Sequence, residues 1–286
     1  MNILNYRRSA FIFASLMITL SIIVLLVPGL NLGVDFTGGT ILERSVSQEP
    51  STDSIRQVLD KAVPELDLSG AVVQILDNAN QFMIRTRELD NADILKIDQA
   101  FDDNFGELVV LKTDVVGPTI GKELVQKALL AIAISALGIL LYVTLRFEYR
   151  FATVSVICIL HDLIIVLGLF ALTGREVNSP FVAAVLTVLG YSINDTIVIF
   201  DRIRENLRFK KKESYADIVA KSIKQSISRT INTSITTLLV VAMLVIFGGS
   251  AIQDFAFALL IGIIFGTFSS LFLAGPLWLT WTERKK

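Results

Sequence analysis

Residues 181–200 read FVAAVLTVLGYSINDTIVIF, an apolar run whose one ionisable carboxylate, Asp195, follows Asn194. At a rise of 1.5 Å per residue, roughly 20 apolar residues cross the hydrocarbon core of a bilayer. The run is therefore predicted to be a transmembrane helix. Because polar side chains are costly inside a membrane, Asn194 and Asp195 also mark this segment as a place to look for function.

The composition of the whole chain agrees with residence in a membrane. Its 286 residues are 53% hydrophobic and 19% charged, with a mean hydropathy of +0.64, whereas soluble domains are usually about 45–50% apolar and about 25% charged. The formal net charge of −1 gives no sign of nucleic-acid binding. The single cysteine, Cys158, excludes an intrachain disulfide and is expected to pack in its apolar run. The single histidine, His161, excludes a multi-histidine metal site, and no cofactor is expected.

Six apolar segments are predicted to span the membrane. The first, residues 9–28, is longer than the apolar core of a signal peptide and no small-x-small cleavage site follows it. We therefore expect an uncleaved anchor, although Arg7 and Arg8 in front of it would also suit a leader. The other five predicted spans are residues 123–145, 151–172, 181–200, 230–248 and 255–281.

Basic residues predict the orientation of these spans. If residues 1–8 are cytoplasmic, the inner segments carry 16 Lys and Arg, most of them in a basic loop at 201–229. The short outer loops then carry only Arg175. Both termini are thus expected in the cytoplasm, and the polar stretch 29–122 on the other side. The basic run 208–212 is expected to serve as a topology signal that contacts lipid headgroups.

Residues 29–122 are rich in charge and are predicted to fold as an α+β head domain. The pair Gly38-Gly39 is expected to bend its first strand, and Asn91 or Asp93 to cap its second helix. The order of elements, βαββαβ, is typical of a ferredoxin-like sandwich. The predicted elements are a strand-like run within 34–46, a helix over 51–63, strands at 72–76 and 82–86 joined by a turn at 77–80, a helix displaying Ile94, Ile97 and Phe101, and a strand at 108–113.

Ionisable residues within the spans are candidates for function, since each costs about 2.5–3.5 kcal/mol at a helix centre. Asp195 lies about six residues, or about 9 Å, from the inner end of span four. Arg229 enters span five at a similar depth, so the two side chains are expected to pair. Thr233 and Thr237 follow Arg229 at helical spacing, with Thr236 beside them, and predict a polar stripe that could relay protons.

A structural role is the alternative for each of these residues. Polar pairs can simply hold helices together, usually for under about 2 kcal/mol, and Asn194 and Ser192 suit that role. For Asp162 in span three both interpretations remain open. His161 is a weaker candidate for proton transfer, because adjacent helical residues point about 100° apart.

Four stretches of the chain resemble signature motifs of the SecD/SecF translocase subunits, and together they extend over nearly the whole chain. The Tyr-Ser-Ile-Asn-Asp form in the fourth span is similar to the SecF branch, since the SecD branch has an Ala-Val-Asp-Ala-Asn version there. The motifs include the structural residues Gly33, Asp35, Gly38, Gly39 and Gly190. The stretches are GVDFTGGT (33–40), VGPTIG (116–121), GYSINDTIVIFDRIREN (190–206) and RTINTSITT (229–237).

The resemblance implies a subunit of the resistance-nodulation-division type in the cytoplasmic membrane of a bacterium. It would pair with a SecD-like subunit, assist the SecYEG channel, and use the proton gradient in late steps of preprotein export. The family's aspartate in span four and arginine opening span five, both implicated in proton conduction, match Asp195 and Arg229. The partner's aspartate aligns with Asn194, so this chain would supply part of a relay in which Asp162 and Thr233 are further candidates. Protonation of Asp195 would then weaken its pairing with Arg229 and move the head.

Other classes of function stay open at this point. A passive scaffold of the translocon would need the same architecture without proton coupling. A small-molecule exporter of the same fold is less favoured, because the head leaves little room for a substrate vestibule. An enzyme is favoured least, since the head has no nucleophile–base set and no phosphate-binding loop.

Overall fold

The structure, a computed structural model, describes residues 3–76, 79–210 and 212–283, without the side chains of residues 3, 250 and 251. The chain forms two compact units. One, the helical unit, comprises Met1–Asn31 and Leu129–Lys286, and the other, the head domain, comprises Leu32–Ala128. The helices are a 3-10 turn Ile3–Tyr6, α1 Arg7–Leu26, α2 Val34–Thr37, α3 Thr52–Ala62, α4 Asn91–Phe105, α5 Pro118–Arg146, α6 Tyr149–Thr173, α7 Ser179–Arg208, α8 Tyr215–Phe247, α9 Ser250–Ser269, a π-helical segment Ser270–Ala274 and α10 Gly275–Glu283. The strands are β1 Asn31–Leu32, β2 Gly39–Ser45, β3 Val72–Ile75, β4 Gln81–Thr86, β5 Val109–Val116 and β6 Glu176–Val177.

The head domain contains a four-stranded antiparallel sheet in the order β3-β4-β2-β5. Its core contains buried residues of α3, α4 and the sheet, among them Leu42, Ile55, Phe82, Ile97 and Phe101. Helices α3 and α4 and the four strands of this sheet follow the chain order βαββαβ, and the short helix α2 precedes them. In the turn predicted between β3 and β4, residues 77 and 78 lie outside the described residues.

The cap of α4 was predicted one to three residues too late. Asp90, rather than Asn91 or Asp93, is the N-cap, and its carboxylate accepts a hydrogen bond from the backbone N–H of Asp93 at 2.8 Å. A cap bonds the N–H two or three residues further on, so an aspartate directly before the helix takes this position.

The glycine-rich stretch begins with a helical turn, and the strand predicted within 34–46 follows it. Gly33 is the N-cap of α2, which includes Asp35, and β2 starts only at Gly39. Gly38 and Gly39 have φ angles of 76° and 139°, which only glycine adopts without strain. A Cβ at Gly39 would clash with the carbonyl oxygen of Thr86. The pair therefore allows the chain to turn from α2 into the sheet.

A buried ion pair lies in the head domain and was not predicted. Arg44 on β2 is fully buried, and its guanidinium donates to both carboxylate oxygens of Asp98 on α4, at 2.7 and 3.0 Å. The same guanidinium also donates to the carbonyl of Lys112 on β5 at 2.6 Å. These bonds connect one helix to two strands.

The prediction of six membrane helices is confirmed, since six helices are long and apolar enough to span a bilayer in the part of the chain that the structure describes. Most of the segment predicted as a basic loop at 201–229 is helical. Helix α7 continues to Arg208, and α8 begins at Tyr215 with Ser214 as its N-cap. Hydropathy detects only the membrane-embedded part of a helix, whereas helical hydrogen bonding continues into the polar flanks.

Small residues bring the helices of the helical unit close together. A Cβ at Gly262 of α9 would clash with Val188 of α7, and one at Gly266 would come to 3.0 Å from Ser192. Close backbone approach of this kind is typical of helix packing in membranes. It places the polar side chains of α7 against those of α9.

Candidate functional site

Asp195 lies on the buried face of α7 and is only 3% exposed. The hydroxyl of Ser234 on α8 lies 3.4 Å from the Asp195 carboxylate and 2.9 Å from the carbonyl oxygen of Thr230, and it can donate its single proton to only one of them. The Ser234 hydroxyl in turn lies 2.7 Å from that of Thr267 on α9. Through these side chains the carboxylate of one helix is connected to two others.

The predicted ion pair between Asp195 and Arg229 is absent from the described structure, in which no nitrogen of Arg229 comes within 4 Å of the carboxylate. Arg229 is exposed, although near enough to Asp195 for their charges to interact. The physical reason is helical geometry. Thr230 and Ser234 form the buried face of α8, and Arg229 precedes Thr230, so it points about 100° away.

Arg229 lines a cavity of about 270 Å³ at the ends of α5, α7 and α8. The lining includes the charged side chains of Arg146, Asp201, Arg202 and Glu205. On α7 the cavity extends to Ile197 and Val198, two and three residues beyond Asp195. This cavity is polar and open and can hold water, and Asp195 itself does not line it.

The predicted threonine stripe does not form a chain of hydroxyl groups. Thr233 is exposed, and its hydroxyl donates to the carbonyl of Arg229 on its own helix at 2.8 Å. Thr236 and Thr237 similarly donate to the carbonyl of Thr233. The stripe is instead joined to α7 by Tyr191, whose hydroxyl donates to that same carbonyl at 3.0 Å.

Asp162 forms the centre of a second buried cluster and is 1% exposed. One carboxylate oxygen accepts hydrogen bonds from the hydroxyls of Ser192 on α7, at 2.6 Å, and Ser269 on α9, at 2.8 Å. The other oxygen lies 2.8 Å from Nδ1 of His161. His161 thus contacts Asp162 directly even though the two residues are adjacent on one helix.

The π-helical segment carries further polar contacts that were not predicted. The Ser270 hydroxyl lies 2.8 Å from that of Thr196 and 3.3 Å from the carbonyl oxygen of Ser192. Two adjacent serines, Ser269 and Ser270, thus both bond inward. Two adjacent serines in an otherwise apolar run could have indicated a polar contact at this position. The π-helical turn that directs both side chains inward could not have been predicted from the sequence.

Two candidates lie on the other side of α7. Asn194 is exposed, and so is Gly190, where a Cβ would meet nothing within 4 Å. Neither residue contributes to the contacts of Asp195 or Asp162. Of the five predicted relay residues, the structure therefore buries Asp195 and Asp162 and leaves Asn194, Arg229 and Thr233 exposed.

Family models match two parts of the chain. Residues 96–284 match the C-terminal model of the SecD/SecF protein export membrane proteins, and residues 23–48 match the SecD/SecF GG motif. The second match contains the glycine pair that turns the chain into the sheet. The first contains both buried carboxylates.

Curated relatives and a solved structure agree with the family models. The chain is 40% identical to protein translocase subunit SecF of Sebaldella termitidis, over 97% of this chain and 90% of that one, and 44% identical to SecF of Vibrio alginolyticus, over 96% and 87%. The crystal structure of SecDF, a translocon-associated membrane protein from Thermus thermophilus, matches with a TM-score of 0.89 and 35% identity, over 99% of this chain and 39% of that chain. These relatives give the chain a role in protein translocation, as an accessory subunit of the Sec system. The chain belongs to the SecF branch of the SecD/SecF family of protein export membrane proteins.

Proposed function

We propose that the chain couples the proton gradient to late steps of protein export, and that Asp195 is the group that takes up and releases the proton. The observation that carries the proposal is the contact of this buried carboxylate with a neutral hydroxyl. A hydroxyl can donate to a carboxylate and accept from a carboxylic acid. Ser234 can therefore hold Asp195 in either protonation state, as a site that binds and releases a proton requires.

The cavity at Arg229 supports a path for protons to Asp195. It is lined by charged groups, and although Asp195 does not line it, Val198, three residues further along α7, does. Arg229, without an ion-pair partner within 4 Å in the described structure, would bias the path by its charge. A change in the donor and acceptor roles of Ser234 would pass to Thr267 and alter the packing of α7, α8 and α9.

A SecD-like subunit is the proposed partner for the exposed polar residues of α7 and α8. Asn194, Arg229, Asn232 and Thr233 are exposed in helices of the membrane-spanning kind, and contact with lipid would be costly for them. SecDF relatives from Bacillus subtilis and Thermus thermophilus, of which this chain covers 38% and 36%, are suggestive of such a partner. The open space at Gly190 would admit a closely packed helix.

The orientation and the role of the head domain belong to the same proposal. The bias of basic residues favours cytoplasmic termini and an extracytoplasmic head, in the cytoplasmic membrane of a bacterium. The order βαββαβ and the strand order β3-β4-β2-β5 favour a ferredoxin-like head. We propose that this head holds and releases the emerging preprotein beside the SecYEG channel.

The experiment is preprotein export into membrane vesicles that contain the full chain, its SecD-like partner and the channel. Export is measured with and without a proton gradient, for the wild type, Asp195→Asn and the control variant Glu213→Gln, whose half-exposed side chain lies outside the lining of the cavity at Arg229. We expect stimulation by the gradient to disappear in Asp195→Asn and to persist in Glu213→Gln, at equal protein levels. Unchanged stimulation in Asp195→Asn would support a passive scaffold instead.

A further inference from the structure

A cavity of about 420 Å³ lies between α1, α6 and the C-terminal part of the last membrane helix, on a different side of α6 from the contacts of Asp162 with Ser192 and Ser269. Its volume falls within the range of small-molecule sites, about 300–1,000 Å³. The lining is apolar except for Ser15, Cys158 and His161, and none of the residues that line it carries a fixed charge. A cavity of this kind, within helices that span a membrane, accepts an uncharged apolar molecule.

His161 is one of the residues that line the cavity, and it has a buried polar atom that is unsatisfied. His161 is 4% exposed, and its Nε2 has no hydrogen-bond partner among the described residues. Its other ring nitrogen, Nδ1, is held 2.8 Å from Asp162. A buried nitrogen without a partner costs about 1–3 kcal/mol in folded proteins, so a ligand that bonded it would gain affinity.

The contact with Asp162 defines what this ligand must offer. Asp162 accepts hydrogen bonds from two serine hydroxyls on its other oxygen, so the carboxylate most simply accepts from Nδ1–H as well. Nε2 is then an acceptor if the ring is neutral and a donor if the ring is charged. A hydroxyl group can bond Nε2 in both cases, whereas an ether or ester oxygen can bond it in only one.

We propose that this cavity is a binding site for a neutral membrane lipid with one free hydroxyl, whose acyl chain lies along α1 and α6 and whose hydroxyl bonds Nε2 of His161. The absence of charged residues from the lining disfavours a phospholipid headgroup. The apolar walls contributed by α1 and α6 match an acyl chain. The site is separate from Asp195 and does not depend on the proposed proton step.

The test is photolabelling of the full chain in bilayers by a diacylglycerol that carries a diazirine in one acyl chain. Labelling is competed with unlabelled diacylglycerol or with its methyl ether, which lacks the hydroxyl. We expect labels on α1 and α6 near Ser15 and His161, and competition by the alcohol about tenfold stronger than by the ether. In His161→Phe this difference should disappear, and a melting curve of that variant verifies that it folds.

A second, independent test compares substitutions at two adjacent residues of α1. Ser15 and Leu16 are both exposed, but only Ser15 lines the cavity. Ser15→Trp should fill the cavity and reduce labelling severalfold, while Leu16→Trp should leave it unchanged. Equal competition by alcohol and ether, or equal loss in the two tryptophan variants, would overturn the proposal and leave only non-specific contact with lipid.

Discussion

The Ser234 hydroxyl of α8 lies 3.4 Å from the Asp195 carboxylate of α7, and 2.7 Å from the Thr267 hydroxyl of α9. Three helices therefore meet at one ionisable group through neutral side chains. In this arrangement the neighbouring arginine acts on Asp195 from a distance, while the serine makes the direct contact. A change in the protonation of Asp195 would act first on its hydrogen bond with Ser234.

Replacing Ser234 by alanine should therefore impair proton coupling. Ser234→Ala removes the hydrogen bond to Asp195, and we expect the gradient-dependent part of preprotein export to fall about tenfold, equivalent to about 1.4 kcal/mol. The matched control is Thr233→Ala, on the exposed face of the same helix, where the hydroxyl bonds only its own backbone. Equal loss in both variants would restore the threonine stripe as the relay.

This serine also illustrates how far the sequence predicts the site. The pattern of apolar residues identifies six spans and singles out Asp195, because an ionisable group in such a run is conspicuous. It does not fix the rotation of α8 about its axis, and an error of one residue turns the predicted face by about 100°. Arg229 and Thr233 were therefore assigned to the buried face that Thr230 and Ser234 occupy.

The cluster around Asp162 should stabilise the helical unit. Ser192→Ala and Ser269→Ala each remove one hydrogen bond to the buried carboxylate, and we expect each to lower the free energy of unfolding by about 1–3 kcal/mol. Thermal unfolding in detergent measures the change. Ser228→Ala, at an exposed position of α8, is the control and should change stability by less than about 0.5 kcal/mol.

Removal of one partner of the ion pair between Arg44 and Asp98 should destabilise the head domain. Arg44→Met leaves the partly buried Asp98 without its main partner, and we expect a loss of about 1.5–3 kcal/mol, since hydrogen bonds to a charged group are lost. Lys96→Met, in a half-exposed pair with Asp93, should cost no more than about 1 kcal/mol. Similar effects of the two variants, measured by denaturant unfolding, would contradict the structural role of Arg44.

Substitutions at two glycines in the membrane helices should have different effects, because one glycine is packed against a neighbouring helix and the other is not. Gly262→Ala places a methyl group against Val188, and we expect overpacking to cost about 1–3 kcal/mol. At Gly190 a side chain would extend into open space, so Gly190→Leu should hardly change the stability of this chain. It should, however, weaken co-purification with a SecD-like subunit. Normal co-purification of the Gly190 variant would argue against a partner helix at this face.

The head domain was predictable in outline because its helices and strands have clear periodicity and turn residues. What escaped prediction depends on contacts between distant parts of the chain. Nothing adjacent to Arg44 in the sequence points to Asp98. The short helix α2 before β2 was not predicted, and neither was the close approach of Gly39 to Thr86.

The most direct measurement is proton flux through proteoliposomes that contain the full chain and its SecD-like partner. A pH-sensitive dye inside the vesicles reports flux after a gradient is imposed, for the wild type, Asp195→Asn and Glu213→Gln, whose side chain is half exposed and outside the cavity at Arg229. We predict that Asp195→Asn reduces the flux to that of empty liposomes while Glu213→Gln retains it. Wild-type flux in Asp195→Asn, at equal protein incorporation, would contradict it.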